Sequence, residues 1–217
     1  MKAVHRARYQ AFLESPSRRQ WQRIGVRRRA GVACPLFSLY SGASIGTGEI
    51  PDLALLADWC RSTGMSMIQL LPMNDVGFNF RPYDAASTFA LEPMYLALGK
   101  LAGIRPAPYA REVESLRKAF PAGKERVDYG VKRAKLDLLW EIFRRDGESR
   151  GEAFESYVRK NAHWLRDYAL FRVIKGKMQD ACWEDWPRDL AVRDGEAVGK
   201  LAREEEERIR FQCWLQW

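Results

Sequence analysis

The sequence predicts an α/β protein that begins with a parallel βαβ unit and continues as a mainly helical region. Two short apolar segments, at residues 29–39 and 67–71, have the composition of strands. The residues between them follow a helical spacing, and so does most of the chain after residue 105. Because a strand, a helix and a strand within about 40 residues form a crossover unit, we expect the two strands to be parallel.

The first strand leads into a loop rich in glycine and serine, and the helix after it has clear end signals. The loop, residues 41–48, has neither a GxGxxG motif nor a following Lys-Ser/Thr pair, so we do not expect it to bind phosphate. Pro51 and Asp52 are typical of a helix N-terminus, and Gly64 is typical of a helix end. Between them, apolar residues recur at helical spacing, namely Leu53, Leu56, Ala57 and Cys60.

The second strand ends at Pro72 and opens into a loop of aromatic and charged residues. Residues 73–84 contain two Phe, one Arg, a Pro-Tyr pair and two Asp. In parallel α/β enzymes, loops at the carboxyl ends of strands form part of the ligand site. Aromatic rings beside carboxylates favour a ligand that is ring-shaped and rich in hydroxyl groups.

The rest of the chain is predicted to be helical. Four segments carry apolar residues at three-to-four spacing, at residues 110–120, 130–146, 152–176 and 196–217. Before the last of these, Trp183 and Trp186 flank acidic residues ahead of a proline. Such indoles either stack on a sugar or pack a loop onto its own helices, and we favour packing.

We divide the chain into a basic N-terminal arm at residues 1–28, a βαβ part with its loop at residues 29–104, and a helical insertion at residues 105–217. The sequence ends on WLQW, a helical pattern without a C-terminal capping signal. Two strands form no stable sheet by themselves. We therefore expect the chain to be the front part of a longer protein, truncated within a helix.

The positive charge is concentrated at the N-terminus. The formal net charge is +8, and residues 1–29 contain nine Lys or Arg residues against one acid, Glu14. The remaining residues contain 27 basic and 27 acidic side chains. A basic arm can bind RNA or an acidic partner through counterion release. We favour a solvated helical lead-in, because apolar residues such as Trp21 and Ile24 are interspersed, and nucleic acid is an unlikely partner.

Composition also argues against a membrane protein and against a metalloprotein. The chain has no run of about 18 apolar residues and no apolar segment at its N-terminus, so we expect neither a membrane span nor a secretory signal. The four cysteines are widely spaced without a CxxC pair, and only two histidines are present. This pattern argues against a zinc site and favours reduced thiols in a cytoplasmic protein.

Seven short motifs follow one another along the chain. Four are G-V-x-x-P-x-x-S-L at 31–39, S-I-G-x-G at 44–48, Q-x-L-P at 69–72 and R-P-Y-x-x-x-S-x-F-A-x-E-P-x-Y at 81–95. Three more are Y-A-L-F-R-V-I-K at 168–175, W-E-D-W-P at 183–187 and F-x-x-W-L-Q at 211–216. In this order they resemble 4-alpha-glucanotransferase, the amylomaltase or disproportionating-enzyme family (glycoside hydrolase family 77). The resemblance covers roughly residues 28–217, and its most specific part is the motif at 81–95.

The resemblance implies the start of a (β/α)8 TIM barrel with a helical inserted subdomain, in an enzyme that transfers α-1,4-glucan segments between malto-oligosaccharide acceptors. This chemistry is retaining, with two carboxylates about 5 Å apart and a glycosyl-enzyme intermediate, and it uses no cofactor. In this family the nucleophile Asp, the acid/base Glu and a stabilising Asp lie on later strands. We therefore expect them beyond Trp217, and we expect this chain alone to be inactive and to aggregate through its strand edge.

Two functions remain open for the chain at this point. The first is the N-terminal portion of the transferase, with the rest of the same enzyme chain as its partner. The alternative is a non-catalytic α-glucan-binding module that has kept the aromatic loop. Both predict α-1,4-glucan as the ligand.

The resemblance also implies a substrate surface. Tyr83 matches the family tyrosine that stacks beneath the sugar at the cleavage point; the alternative is that it only packs the loop. Phe78 matches a secondary glucan position where relatives can have Tyr; Phe keeps the stacking face and loses the hydroxyl. Asp84 either accepts sugar hydroxyls or caps the next turn. With Arg81, these residues form the predicted substrate-binding site.

Other residues of the same loop are expected to have structural roles or none. Ser87, Phe89 and Pro93 match the motif, and we expect them to shape the loop. Asp75 and Glu92 are interpreted as isolated acids in an exposed loop, with nothing to mark them as a catalytic pair.

Overall fold

A computed structural model describes residues 3–146 and 151–217. The chain forms two compact units. One comprises the residues up to Ala33 together with Leu56–Gln69, and the other comprises Cys34–Leu55 and Leu70–Trp217. Among the described residues, no helix combines the length and the apolar character needed to cross a bilayer.

The basic arm is helical, as the sequence predicts. It forms helix α1 (Ala3–Glu14) and helix α2 (Arg18–Ile24). The rings of Phe12 and Trp21 lie 4.7 Å apart, so the interspersed apolar residues hold the two helices together. Arginine side chains of α2, including Arg19 and Arg23, remain exposed to solvent.

Strand β1 (Gly31–Cys34) pairs with strand β2 (Met67–Leu70) in a two-stranded sheet. The Ser66 N–H donates to Ala30 O at 2.9 Å, and the Leu71 N–H donates to Cys34 O at 3.4 Å. The register advances in the same direction along both strands, which confirms the parallel pairing. Gly31 permits this close approach, because a Cβ there would lie 2.3 Å from Met67 O.

Helix α3 (Asp52–Ser62) connects the two strands, and Gly64 follows it with a φ of +76°. The predicted end signals of this helix are therefore confirmed. The first strand is shorter than the predicted segment at residues 29–39. Pro35 has no N–H to continue the ladder, and the chain turns into a 3-10 helix at Leu36–Ser38.

The remaining helices belong to the second unit. They are α4 (Ala110–Ala119), α5 (Gly130–Arg145), α6 (Gly151–Lys160), α7 (Leu165–Lys177), α8 (Arg188–Ala191), α9 (Gly195–Glu204) and α10 (Glu206–Gln216). Helices α5, α7 and α10 contribute most of the buried apolar side chains, among them Leu139, Phe143, Leu165, Ala169, Phe211 and Trp214. This core supports the loops that follow β1 and β2.

Two predicted helices are each divided in two. The segment at residues 152–176 is interrupted after α6, where the Asn161 side chain donates to Tyr157 O at 2.9 Å and accepts from Trp164 Nε1 at 3.2 Å. These side-chain bonds compete with the helical backbone pattern. The segment at residues 196–217 is interrupted at Glu205, whose φ is −111°.

Candidate functional site

The loop between β2 and the helical region, residues 72–96, is named the aromatic loop here. Its two ends pair with each other through an antiparallel bridge between Asn74 and Leu91. The Asp75 N–H donates to Ala90 O, and the Glu92 N–H donates to Met73 O, both at 2.9 Å. The aromatic loop therefore has a closed base and a tip, residues 76–89, that extends from it.

The side chain of Asn79 orders the tip. Its Oδ1 accepts a hydrogen bond from the Arg81 N–H at 2.9 Å, and its Nδ2 donates to Asp84 O at 3.3 Å. Phe80, with a φ of +55°, lies between these contacts. These two hydrogen bonds hold the backbone on both sides of Pro82 and Tyr83, and they therefore fix the position of these two residues.

A buried lysine on α5 holds the base of the aromatic loop. Lys132 is 1% exposed, and its Nζ lies 3.1 Å from Asp75 Oδ1 and 2.8 Å from the Glu92 carboxylate. The same atom donates to Gly77 O at 2.5 Å. The three ammonium hydrogens are therefore all used, and they bind both ends of the loop to one helix.

Asp75 is the most highly connected acid of this group. It also accepts from the Tyr168 hydroxyl at 2.8 Å and from the Gly77 N–H at 3.0 Å, and Arg172 Nε lies 3.1 Å away. Burial raises the pKa of Asp75, but Arg172 and Lys132 together hold it below its ordinary value. The base of the loop thus contains a charged carboxylate that is fully enclosed by donors.

Glu92 belongs to the same network, but its pKa shifts in the opposite direction. Burial raises the pKa of Glu92, and Lys132 offsets only part of that effect. Its carboxylate also accepts from the backbone N–H groups of Val76 and Met94, at 3.2 and 3.1 Å. Asp75 and Glu92 share the Lys132 ammonium, but only Asp75 also has Arg172 beside it. The ionised form is therefore favoured at Asp75.

A second buried lysine of α5 holds the loop that follows β1. Lys135 Nζ lies 2.6 Å from Glu49 Oε1, and it donates to Met94 O and Leu96 O at 2.9 and 3.1 Å. Burial raises the pKa of Glu49 and lowers the pKa of Lys135, and the attraction between them opposes both shifts. Helix α5 therefore anchors the loops after both strands.

The interpretation of Asp75 and Glu92 as isolated acids in an exposed loop is wrong. They are 1% and 2% exposed and share Lys132, which sequence reasoning did not single out. The sequence feature that could have revealed these ion pairs is the position of Lys132 and Lys135 on the apolar face of α5, beside Val131 and Leu139. A lysine on such a face requires an anionic partner.

The structure brings three of the four predicted site residues together at the tip. Tyr83 is 77% exposed, and no other aromatic ring contacts it in the described part of the chain. Arg81 Nη1 lies 3.4 Å from Asp84 Oδ2, and both side chains are more than half exposed. The Asp84 carboxylate therefore pairs with Arg81, and it caps no turn within the described part of the chain.

The fourth residue, Phe78, has a half-buried ring that packs on Phe80 and on two cations of α5. The Arg133 guanidinium carbon is 4.3 Å from the ring centroid, and Lys132 Nζ is 5.1 Å from it. A sugar that stacked on the Arg133 side of Phe78 would have to displace that guanidinium.

The other motif residues of the loop have structural contacts. The Ser87 hydroxyl accepts from the N–H groups of Phe89 and Ala90, each at 3.1 Å. Phe89 stacks on Trp164 with ring centroids 5.7 Å apart, and Pro93 begins a 3-10 turn. All three shape the loop, as predicted.

The two tryptophans of the helical region, Trp183 and Trp186, differ in their burial. Trp186 is buried against Phe171, with ring centroids 5.6 Å apart, and its Nε1 donates to Ala181 O at 3.3 Å. Trp183 is exposed. Packing, the interpretation favoured from sequence, therefore describes Trp186.

The tip of the aromatic loop presents a flat apolar ring between a donor and an acceptor. This arrangement suits a sugar, whose C–H face packs on a ring while its hydroxyls bind polar groups. The buried acids of the base have no access to such a ligand. Among the described residues, no group of three or more His, Cys, Asp or Glu side chains is placed to hold a metal ion.

Comparison with known proteins identifies the family. The family model of 4-alpha-glucanotransferase matches residues 34–217. A 4-alpha-glucanotransferase from Chlamydia caviae is 33% identical over 214 residues, which cover 94% of this chain and 38% of the relative. The chain thus spans well under half the length of this curated relative.

Two solved structures share the fold. Amylomaltase from Corynebacterium glutamicum superposes with a TM-score of 0.66 at 21% identity, over 96% of this chain and 27% of that one. Amylomaltase from Streptococcus agalactiae, in complex with acarbose, has a TM-score of 0.65 at 17% identity, over 87% of this chain and 38% of that one. The resemblance seen in the motifs is confirmed, and the chain belongs to the 4-alpha-glucanotransferase family.

Proposed function

We propose that this chain is the N-terminal part of a 4-alpha-glucanotransferase that transfers α-1,4-glucan segments between malto-oligosaccharide acceptors by retaining double displacement. The nucleophile, the acid/base and the third carboxylate would come from sequence beyond Trp217. Family membership supports this proposal, as does the acarbose complex of the Streptococcus agalactiae amylomaltase. A cytoplasmic location is also proposed, supported by the four free thiols.

We further propose that β1, α3 and β2 are the first part of a (β/α)8 barrel and that α4 to α10 belong to a helical insertion. The parallel pairing of the two strands supports this assignment, because barrel strands are all parallel. The aromatic loop would then lie at the carboxyl ends of the barrel strands, where such enzymes bind their substrates.

The observation that carries the proposed function is the exposed ring of Tyr83 on a loop whose base is fixed. Tyr83 would stack beneath one glucose unit, while Arg81 donates to sugar hydroxyls and Asp84 accepts from them. Lys132 keeps the base of the loop in place, so that little freedom is lost when the sugar binds. The chain's role is thus to bind and orient the glucan.

The test is maltotriose disproportionation, measured as released glucose, on this chain and on the same chain extended through its native downstream sequence. We expect glucose from the extended protein alone. In the extended protein, Tyr83→Ala should lower kcat/KM about tenfold, equivalent to ~1.4 kcal/mol. Tyr83→Phe keeps the stacking face and should stay within about threefold of the wild type, since only one hydroxyl is lost.

The outcomes separate the two functions predicted from the sequence. Glucose from neither protein, with malto-oligosaccharide still bound, would replace the transferase by a glucan-binding module. An extended protein in which Tyr83→Ala retains full activity would remove Tyr83 from the substrate surface.

A further inference from the structure

The tip of the aromatic loop contains two successive turns. The first turn closes where the Asn79 N–H donates to Val76 O at 3.4 Å. It is attached to the base of the loop, because Lys132 Nζ donates to Gly77 O within it. The first turn therefore has a fixed position relative to helix α5.

The second turn carries the candidate substrate residues. It closes where the Asp84 N–H donates to Arg81 O at 3.0 Å, and its two central residues are Pro82 and Tyr83. Proline is favoured at the first central position of such a turn, because its φ is already set. Phe80 is the residue between the two turns. Its backbone angles therefore determine the direction of the second turn, and with it the direction of Tyr83.

Phe80 has a backbone conformation that is unfavourable for its side chain. Its φ is +55°, in the left-handed region that bulky residues rarely adopt. Among the described residues, the other three non-glycine residues with a positive φ are polar, namely Gln179, Asp180 and Arg193. A conformation of this kind persists only where the surrounding structure imposes it, and it is common at ligand sites. The contacts of Phe80 are therefore what keeps the tip in its shape.

The ring of Phe80 is held by aromatic neighbours. It stacks on Tyr129, at the start of helix α5, with ring centroids 4.2 Å apart and planes tilted by 22°. The ring of Phe78 meets it edge-to-face, with centroids 6.0 Å apart. Phe80 and Pro82 also line a gap of about 20 Å³, which has room for about one water molecule. The ring thus has little space to move, and it fixes the backbone at Phe80.

We propose that Phe80 is a positioning residue for Tyr83. Stacking on Tyr129 holds Phe80 in the left-handed conformation, and that conformation directs the turn that carries Tyr83. The two side-chain hydrogen bonds of Asn79 to the second turn support the same arrangement. In this role Phe80 lowers the entropy that is lost when a sugar stacks on Tyr83. The inference rests on the proposed function, because it takes Tyr83 to be the residue on which glucan stacks.

The first test is a double-mutant cycle in the extended protein, with maltotriose as the substrate. Phe80→Leu removes the ring and should lower kcat/KM about fivefold, because a misdirected Tyr83 orients the sugar less well. Phe80→Tyr keeps the ring and should restore kcat/KM to within about twofold of the wild type. In a Tyr83→Ala background, Phe80→Leu should lower kcat/KM by less than about twofold, because the residue that it positions is already missing. Phe89→Leu, which removes another stacked ring of the loop, is the matched control, and its effect should be equal in both backgrounds.

The second test measures the order of the tip without any activity. Chymotrypsin cleaves after Tyr83 only when the tip opens, and mass spectrometry locates this cleavage. It should be about fivefold faster in Phe80→Leu than in the wild type. Asn79→Ala should change cleavage in the same direction, and its exposed side chain lies outside the core. This variant decides the question if circular dichroism shows that Phe80→Leu does not fold.

The outcomes separate this inference from the proposed function. An equal loss from Phe80→Leu in both backgrounds would overturn the positioning role and leave the proposed function intact. Unchanged cleavage in Phe80→Leu and Asn79→Ala would overturn it as well. Full activity of Tyr83→Ala would overturn both the positioning role and the substrate role of Tyr83. If the extended protein releases no glucose, the proposed function fails, whereas faster cleavage would still support the positioning of Tyr83 by Phe80.

Discussion

The base and the tip of the aromatic loop are built in opposite ways. The base contains two acids and a lysine that are almost fully buried; each acid accepts from several donors, and the lysine donates to several acceptors. The tip carries Arg81, Tyr83 and Asp84, all exposed. Groups that fix the loop are therefore separate from groups that are free to contact a ligand. Substitutions at the base should lower stability, and substitutions at the tip should lower binding.

The strongest challenge to this division is removal of the buried cation. Lys132→Met should lower the free energy of unfolding by roughly 3–5 kcal/mol, because it leaves Asp75 and Glu92 without their shared partner. Urea denaturation measures the change. Lys160→Met, an exposed lysine on α6, should alter stability by less than about 0.5 kcal/mol. Equal effects of the two substitutions would show that the base does not depend on its charges.

A second prediction concerns the stability of the fold at acid pH. Arg172 and Lys132 outweigh burial and keep the pKa of Asp75 below its ordinary value of 3.8 in the folded protein. The stability from this group is fully present above pH 3.8, and it is lost as the pH falls through the lowered pKa. Glu49 and Glu92 act in the opposite direction. Burial raises their pKa, so their protonation at mildly acid pH favours the folded state.

Urea midpoints measured across the acid range test this assignment. The wild type should lose stability below pH 3.8, and Asp75→Asn should lose less over the same range. Asp84→Asn, at the exposed tip, should follow the wild-type profile. If Asp75→Asn still loses stability steeply at acid pH, the loss is caused by other carboxylates.

A third, smaller effect is expected where the two regions meet, at Phe78. Arg133→Ala should cost about 0.5–1 kcal/mol of stability, the value of an exposed cation–π contact. If Phe78 binds glucan, the same change should tighten maltoheptaose binding by about two- to fivefold, because no guanidinium has to be displaced. Weaker binding would instead make Arg133 part of the ligand contact. Arg111→Ala, on α4, serves as the control.

The smallest effect on stability is expected at the tip itself. Tyr83→Ala should change the free energy of unfolding by less than about 0.5 kcal/mol, since the ring is exposed and contacts no other ring of the described residues. Thermal unfolding measures this, alongside the binding measurements. A clear loss of stability would mean that Tyr83 packs the loop, the other interpretation made from the sequence.

The elements that depend on local sequence could be predicted. The end signals of α3, the parallel strands and the helical character of the second unit follow from spacing, proline and glycine. The burial of the α5 lysines had a sequence signal, but their partners could not be predicted, because Lys132 meets Asp75 and Glu92 from 57 and 40 residues away along the chain. Local periodicity contains no information about such partners.

The candidate site was predictable only in part, for a related reason. Tyr83 was found through the motif at residues 81–95, whereas the pairing of Asp84 with Arg81 could be seen only in the folded loop. The cation–π contact between Arg133 and Phe78 likewise joins residues that are distant in sequence, so it could not be predicted from local patterns.

The two lysines of α5 also set the rotational phase of that helix. An inserted residue between Lys132 and Lys135 would turn one relative to the other by about 100° and shift it by about 1.5 Å. Each ammonium is bound to acceptors in the loops after the strands, so only one of the two could keep its partners. The chain can therefore change length before Gly130 far more readily than within this turn. The spacing of two lysines in one helix thus fixes the separation of two loops that are far apart in sequence.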